Sequence, residues 1–102
     1  ISYRYLLGEF DLVITEEIQT IELPSFSGYS RVIWVFKEEG NNATYIAEID
    51  AGMFDQITNL TYFFRFRDSQ EFSINIIPGS REIRLFGDIS VTIKLKKVYG
   101  AK

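Results

Sequence analysis

The sequence predicts an all-β fold. The expectation is a single antiparallel β-sandwich over residues 1–102, jelly-roll or immunoglobulin-like, with about eight short strands. Three observations carry it. Apolar and polar residues alternate through most of the chain, the pattern of a strand with one wet face. Glycine, proline and asparagine fall where the alternating runs stop. Helical spacing is confined to one segment, where Met53, Phe54, Ile57 and Leu60 recur and Asp50 can cap the start. At most one short helical turn is therefore expected near 51–58.

The runs follow in order. In 2–7, Tyr3 and Tyr5 share a face. In 9–15, Phe10, Leu12 and Ile14 oppose Glu9, Asp11 and Thr15. A strand at 18–23 follows the acidic turn TEE, and the loop SFSGYS follows it. The run 30–37 is apolar on both faces, with Val32, Trp34 and Phe36 on one and Ile33 and Val35 on the other. Such a strand is central and covered twice, or it lies at a subunit interface. Trp34, in mid-strand, belongs to the core. The turn EEGNN (38–42) leads into a strand at 44–50.

The densest aromatic stretch is LTYFFRFRD (60–68). On a strand, Leu60, Tyr62, Phe64 and Phe66 share one face, and Thr61, Phe63, Arg65 and Arg67 the other. Most rings therefore lie on the uncharged face, and no glycine within the run lets a base approach, as RNA-reading strands require. The stretch reads as a core strand kept soluble by two arginines set opposite acidic residues. After the link DSQ, 71–77 sets Phe72, Ile74 and Ile76 against Glu71, Ser73 and Asn75. PGS (78–80) fits a type II turn into 81–86, and GD (87–88) reads as a tight hairpin into 89–96.

Composition narrows the function. The 102 residues suffice for one core without disulfides or metals. There is no cysteine and no histidine, which removes thiolate chemistry and the commonest general base. Net charge is −3, the wrong sign for general nucleic-acid affinity, and no nucleic-acid partner is expected. No apolar run reaches the ~18–20 residues of a membrane span. The chain starts at Ile1 rather than Met, the expectation for a processed or excised segment.

No catalytic set stands out. Ser-x-x-Lys, Gly-x-Ser-x-Gly and Gly-rich phosphate loops are missing. Glu48 and Asp50 lie two apart on one strand face, but a solvated strand end accounts for them better than a glycosidase pair. Asp11, Glu16, Glu17, Asp50 and Asp55 offer oxygen ligands without a calcium-loop spacing, so no metal or other cofactor is expected. The triplets NAT (42–44) and NLT (59–61) match the N-glycosylation pattern weakly.

Two functions remain. The first is a non-enzymatic structural protein that packs with itself or a larger protein, as a virion, tail or surface-appendage component. The doubly apolar 30–37 and the 16% aromatic content point to it. An extracellular or virion surface suits it better than cytoplasm. The second is a carbohydrate-binding module using exposed rings such as Tyr5, Phe26, Tyr29, Tyr45 and Tyr99. The candidate ligand- or partner-binding residues are Tyr29, Asn41, Asn42, Tyr45, Phe63, Arg65 and Arg67. Sugar binding needs coplanar rings beside polar groups. Assembly, through oligomer formation or another protein–protein interaction, needs a contiguous apolar patch.

Overall fold

The computed structural model describes residues 4–40, 43–51, 60–65, 71–77, 81–87 and 92–102, with 60, 62–65 and 71 described by backbone alone. Among the described residues eight strands form: β1 (Arg4–Val13), β2 (Gln19–Thr20), β3 (Arg31–Glu38), β4 (Thr44–Asp50), β5 (Leu60–Arg65), β6 (Glu71–Ile77), β7 (Glu82–Phe86) and β8 (Ile93–Ala101). They pair into two antiparallel sheets, in the order β1-β8-β3-β4 and β2-β7-β6-β5. Among the described residues no α-helix forms, and Ala51 alone has 3-10 helical conformation. Ala51 opens the segment expected to make a helical turn, and the remainder of that segment, 52–58, lies outside the described residues.

The alternating residues meet between the sheets. Val32, Trp34 and Phe36 of β3 and Leu95 and Val98 of β8 face Phe72, Ile74 and Ile76 of β6 and Ile83 of β7 in one buried cluster. Burying a side chain of this size contributes roughly 1.5–3 kcal/mol. The cluster therefore holds the two sheets together, in a sandwich-like arrangement. Each residue of β5 has a fixed opposite on β6: Leu60 with Ile76, Tyr62 with Ile74, Phe64 with Phe72, Phe63 with Ser73 and Arg65 with Glu71. Directly opposite residues share a sheet face. The register thus sets Leu60, Tyr62 and Phe64 opposite core residues of β6 and Arg65 opposite an acidic one.

Five segments differ from the sequence expectation. Runs 2–7 and 9–15 belong to one strand, β1, whose register against β8 shifts between Leu6 and Gly8 and again between Glu9 and Leu12. Each shift inserts a residue, which breaks period two along the sequence while Leu7, Phe10 and Leu12 still pack on the core. Gly8 permits this, because a Cβ there would stand 2.7 Å from the Phe10 ring.

The strand at 18–23 shrinks to Gln19–Thr20 because the chain is changing sheets. Ile14 N–H still donates to Ile93 C=O in the first sheet, while Thr15 C=O already accepts from Leu85 N–H in the second. The Gln19 side-chain amide braces the bend by donating to Val13 C=O at 3.0 Å and Thr15 Oγ1 at 3.1 Å.

The Gly87 turn is not a hairpin. Gly87 has φ +118°, but β7 and β8 lie in different sheets, so the chain crosses over there. The last strand also runs on to Ala101, five residues beyond the alternation ending at Lys96, across a bulge near Lys96. Finally, the polar side of β6 is not wet. Asn75 is 3% exposed and its amide donates to Thr61 Oγ1 at 3.2 Å.

Candidate interaction face

The doubly apolar strand positions the candidate site. β3 pairs β4 on one side and β8 on the other, so it is central. Its inner residues Val32, Trp34 and Phe36 belong to the core, which leaves Ile33 and Val35 on the outer face. Ile33 is only 3% exposed, yet it lies outside the core cluster. Tyr99 of β8 stands opposite Ile33, and Leu6 of β1 stands opposite Tyr99. Val35, two residues on, stands opposite Ile46 of β4.

Leu6, Tyr99, Ile33, Val35 and Ile46 therefore form an apolar band across all four strands of this sheet. Its ends are open: Leu6 is 53% and Ile46 54% exposed. Charged side chains border it. Arg31 Nη1 meets Glu48 Oε2 at 3.3 Å at one end. At the other, Lys96 Nζ reaches Asp11 Oδ1 at 2.7 Å, and Lys94 Nζ lies 3.7 Å from Asp11 and 3.6 Å from Glu39. The Lys96 hydrogen bond, then the positive charges of Lys94 and Lys96, hold the Asp11 carboxyl below the ordinary aspartate range.

The residues expected from sequence do not form one site. The Tyr29 ring lies on the Gly100 backbone, where a Cβ would stand 2.5 Å from it, and beside Tyr5 at 5.9 Å between centroids. Tyr45 stands edge-on to Phe72 at 5.6 Å and packs against the core. Gly100 pairs with Val32, and Tyr45 with Phe36, so the two tyrosines sit about 13 Å apart along β3 by strand rise. Phe63 and Arg65 belong to the other sheet, opposite Ser73 and Glu71. Asn41, Asn42 and Arg67 lie outside the described residues, as do Asn59, Asp55 and Tyr3.

One expected surface ring is structural. Phe26 is buried and anchors its loop, with the Arg81 guanidinium 4.1 Å from its ring centroid. Tyr99, two residues from the end of β8, joins the outer-face band. Leu6 and Ile46 went unnoticed in the sequence, although the signal for Ile46 was present. It alternates with Tyr45 and Ala47, and an isoleucine on the polar phase of a strand is the mark of a second apolar face.

One buried group stands apart from the band. Glu38 ends β3 on the core side, opposite Ile93, is 2% exposed, and its Oε1 has no hydrogen-bond partner. Among the described residues no group of three or more His, Cys, Asp or Glu could hold a metal ion, and no helix is long and apolar enough to cross a membrane. Compared with known proteins, the chain matches no family model, no curated protein and no solved structure.

Proposed function

We propose that this protein is a non-enzymatic assembly module that packs with itself or a larger protein, as a structural component of a virion, a tail or a surface appendage. One observation carries the reading: the apolar band of Leu6, Tyr99, Ile33, Val35 and Ile46 on the outer face of a sheet whose inner face already holds the core. An antiparallel sheet facing water alternates cleanly between apolar and polar sides. A sheet apolar on both sides suits burial against a partner. The finer architecture fits a jelly-roll-like sandwich, with first and last strands adjacent and the chain passing repeatedly between the sheets. The simple β3–β4 pairing and the β5–β6–β7 meander are departures from that plan.

The alternative, a carbohydrate-binding module, is favoured by one observation. Tyr5 is 41% exposed beside Tyr29, with Lys102 Nζ 5.0 Å from the Tyr5 centroid. The two rings are inclined by 56°, so they do not form one flat platform for a sugar ring. Light scattering over a range of concentrations, with and without candidate partner proteins, tests the proposal. A dimer, a larger ring or a defined heteromeric complex supports it. A monomer under every condition, together with binding on a glycan array, shifts the assignment to the carbohydrate module.

A further inference from the structure

The sheet that carries the apolar band has two edges, β1 and β4, and they differ. β1 has two register shifts and carries Arg4, Glu9 and Asp11, features that blunt an edge against pairing. β4 carries charges too, Glu48 and Asp50, but it keeps one unbroken register with β3 from Thr44 to Asp50 and has no proline, no lysine and no bulge. An edge with a regular, unbulged backbone is a template for another strand.

The direction of the β4 backbone follows from two bonds. Ala43 C=O accepts from Glu38 N–H, and Ala51 N–H donates to Ser30 C=O, both at 2.9 Å. Alternate residues of an antiparallel strand point their N–H and C=O to opposite sides. The odd-numbered residues of β4 therefore face β3, and Thr44 and Ile46 turn their backbone groups off the edge of the sheet. Ile46 also carries the exposed end of the apolar band. Resting on the assembly reading, we propose that β4 joins two copies of this chain by antiparallel β4–β4 pairing, with the two-fold axis at Ile46.

Side-chain pairing selects that axis. A dyad at Ile46 sets Ile46 against Ile46 of the second copy, and Glu48 against its Thr44. A dyad at Ala47 sets Ile46 against a carboxylate, and one at Glu48 opposes two carboxylates, which is unfavourable. A dyad at Tyr45 leaves Ile46 against a threonine. Charge follows the same choice. Among the described residues, the outer face near this edge carries Arg31, Glu48 and Asp50 at one end and Lys37, opposite Thr44, at the other.

Lys37 has no ion pair among the described residues. Antiparallel pairing brings Glu48 to Thr44 of the second copy, and so within two strand spacings, about 9.5 Å, of that copy's Lys37. Extended Lys and Glu side chains bridge such a gap across a threonine. The two four-stranded sheets then become one, with the band Val35–Ile46 continued into the second copy and both exposed Ile46 side chains covered.

The absence of cysteine makes the test clean, because Ile46→Cys supplies the only thiol. Hydrogen-bonded antiparallel partners have Cα atoms about 5.5 Å apart, inside the range of a disulfide. Mild oxidation should convert Ile46→Cys to a covalent dimer. Leu6→Cys, equally exposed on the same face but on the other edge, should remain monomeric under the same conditions. Ile46→Lys, whose far-ultraviolet circular dichroism checks the fold, should abolish the concentration-dependent rise in mass seen by light scattering.

Cross-linking no greater at residue 46 than at residue 6 overturns the proposal. If the wild type still self-associates and Ile46→Lys leaves its mass unchanged, the β4 joint is wrong while assembly stands. If the wild type remains monomeric and Ile46→Cys does not cross-link, self-assembly falls as well.

Discussion

Glu38 is the residue least explained by stability. A buried carboxyl whose Oε1 has no donor gives up hydration that no hydrogen bond replaces at that oxygen. Replacement by an apolar group of similar volume removes that cost. Glu38→Met should raise the free energy of unfolding by about 1–3 kcal/mol in urea titrations. A loss of stability would mean that the carboxyl has a donor in solution.

Asp11 makes a different prediction. Lys96 and Lys94 favour its charged form in the folded state, so its folded pKa lies below its unfolded one. The resulting contribution is present above the ordinary aspartate value and is lost as pH falls through the folded value. An NMR titration should place the Asp11 midpoint below the ordinary aspartate range, and Lys96→Met should raise it. An unmoved midpoint in Lys96→Met would remove the hydrogen bond as the cause.

Gly100 is a steric case. A methyl at this position would press into the Tyr29 ring from 2.5 Å. Gly100→Ala should destabilise by about 1–3 kcal/mol, the usual cost of overpacking, and denaturant midpoints would show it.

At the scale of elements, strand facing can be measured. Phe72 lies on the core side of β6 and is 2% exposed, while Arg31 makes an exposed pair with Glu48. Phe72→Ala should cost about 3–5 kcal/mol and Arg31→Ala under about 1 kcal/mol. The reverse ranking in chemical denaturation would invert the facing of these strands. The facing of β3 and β6 was legible in the sequence because period two maps directly onto the pleat, whereas Tyr45 of β4, expected as an exposed ring, packs against the core. What was not legible depended on partners distant in sequence. The two shifts in β1 broke the period of LLGEF, so one strand read as two. Gly87 announced a turn, but nothing local tells a hairpin from a crossover between sheets. The candidate site was hidden for a related reason. Tyr29 and Tyr45 share a residue type but occupy opposite ends of β3, whereas Leu6, Tyr99 and Ile46 become neighbours only through the order β1-β8-β3-β4.

At the scale of the whole molecule, one core between two sheets accounts for Trp34, Phe36, Phe72 and the isoleucines around them. The outer face of the first sheet carries a second apolar surface, open at Leu6 and Ile46 and buried at Ile33. That surface runs to an edge strand lacking the bulges found on the opposite edge, which is why assembly is the central claim. Amide hydrogen exchange, residue by residue and at two widely separated concentrations, tests it most directly. The account predicts that the Thr44 and Ile46 amides exchange freely in dilute solution and become protected when concentrated, while the amides of β1 do not change. Thr44 and Ile46 amides that exchange equally fast at both concentrations would contradict it.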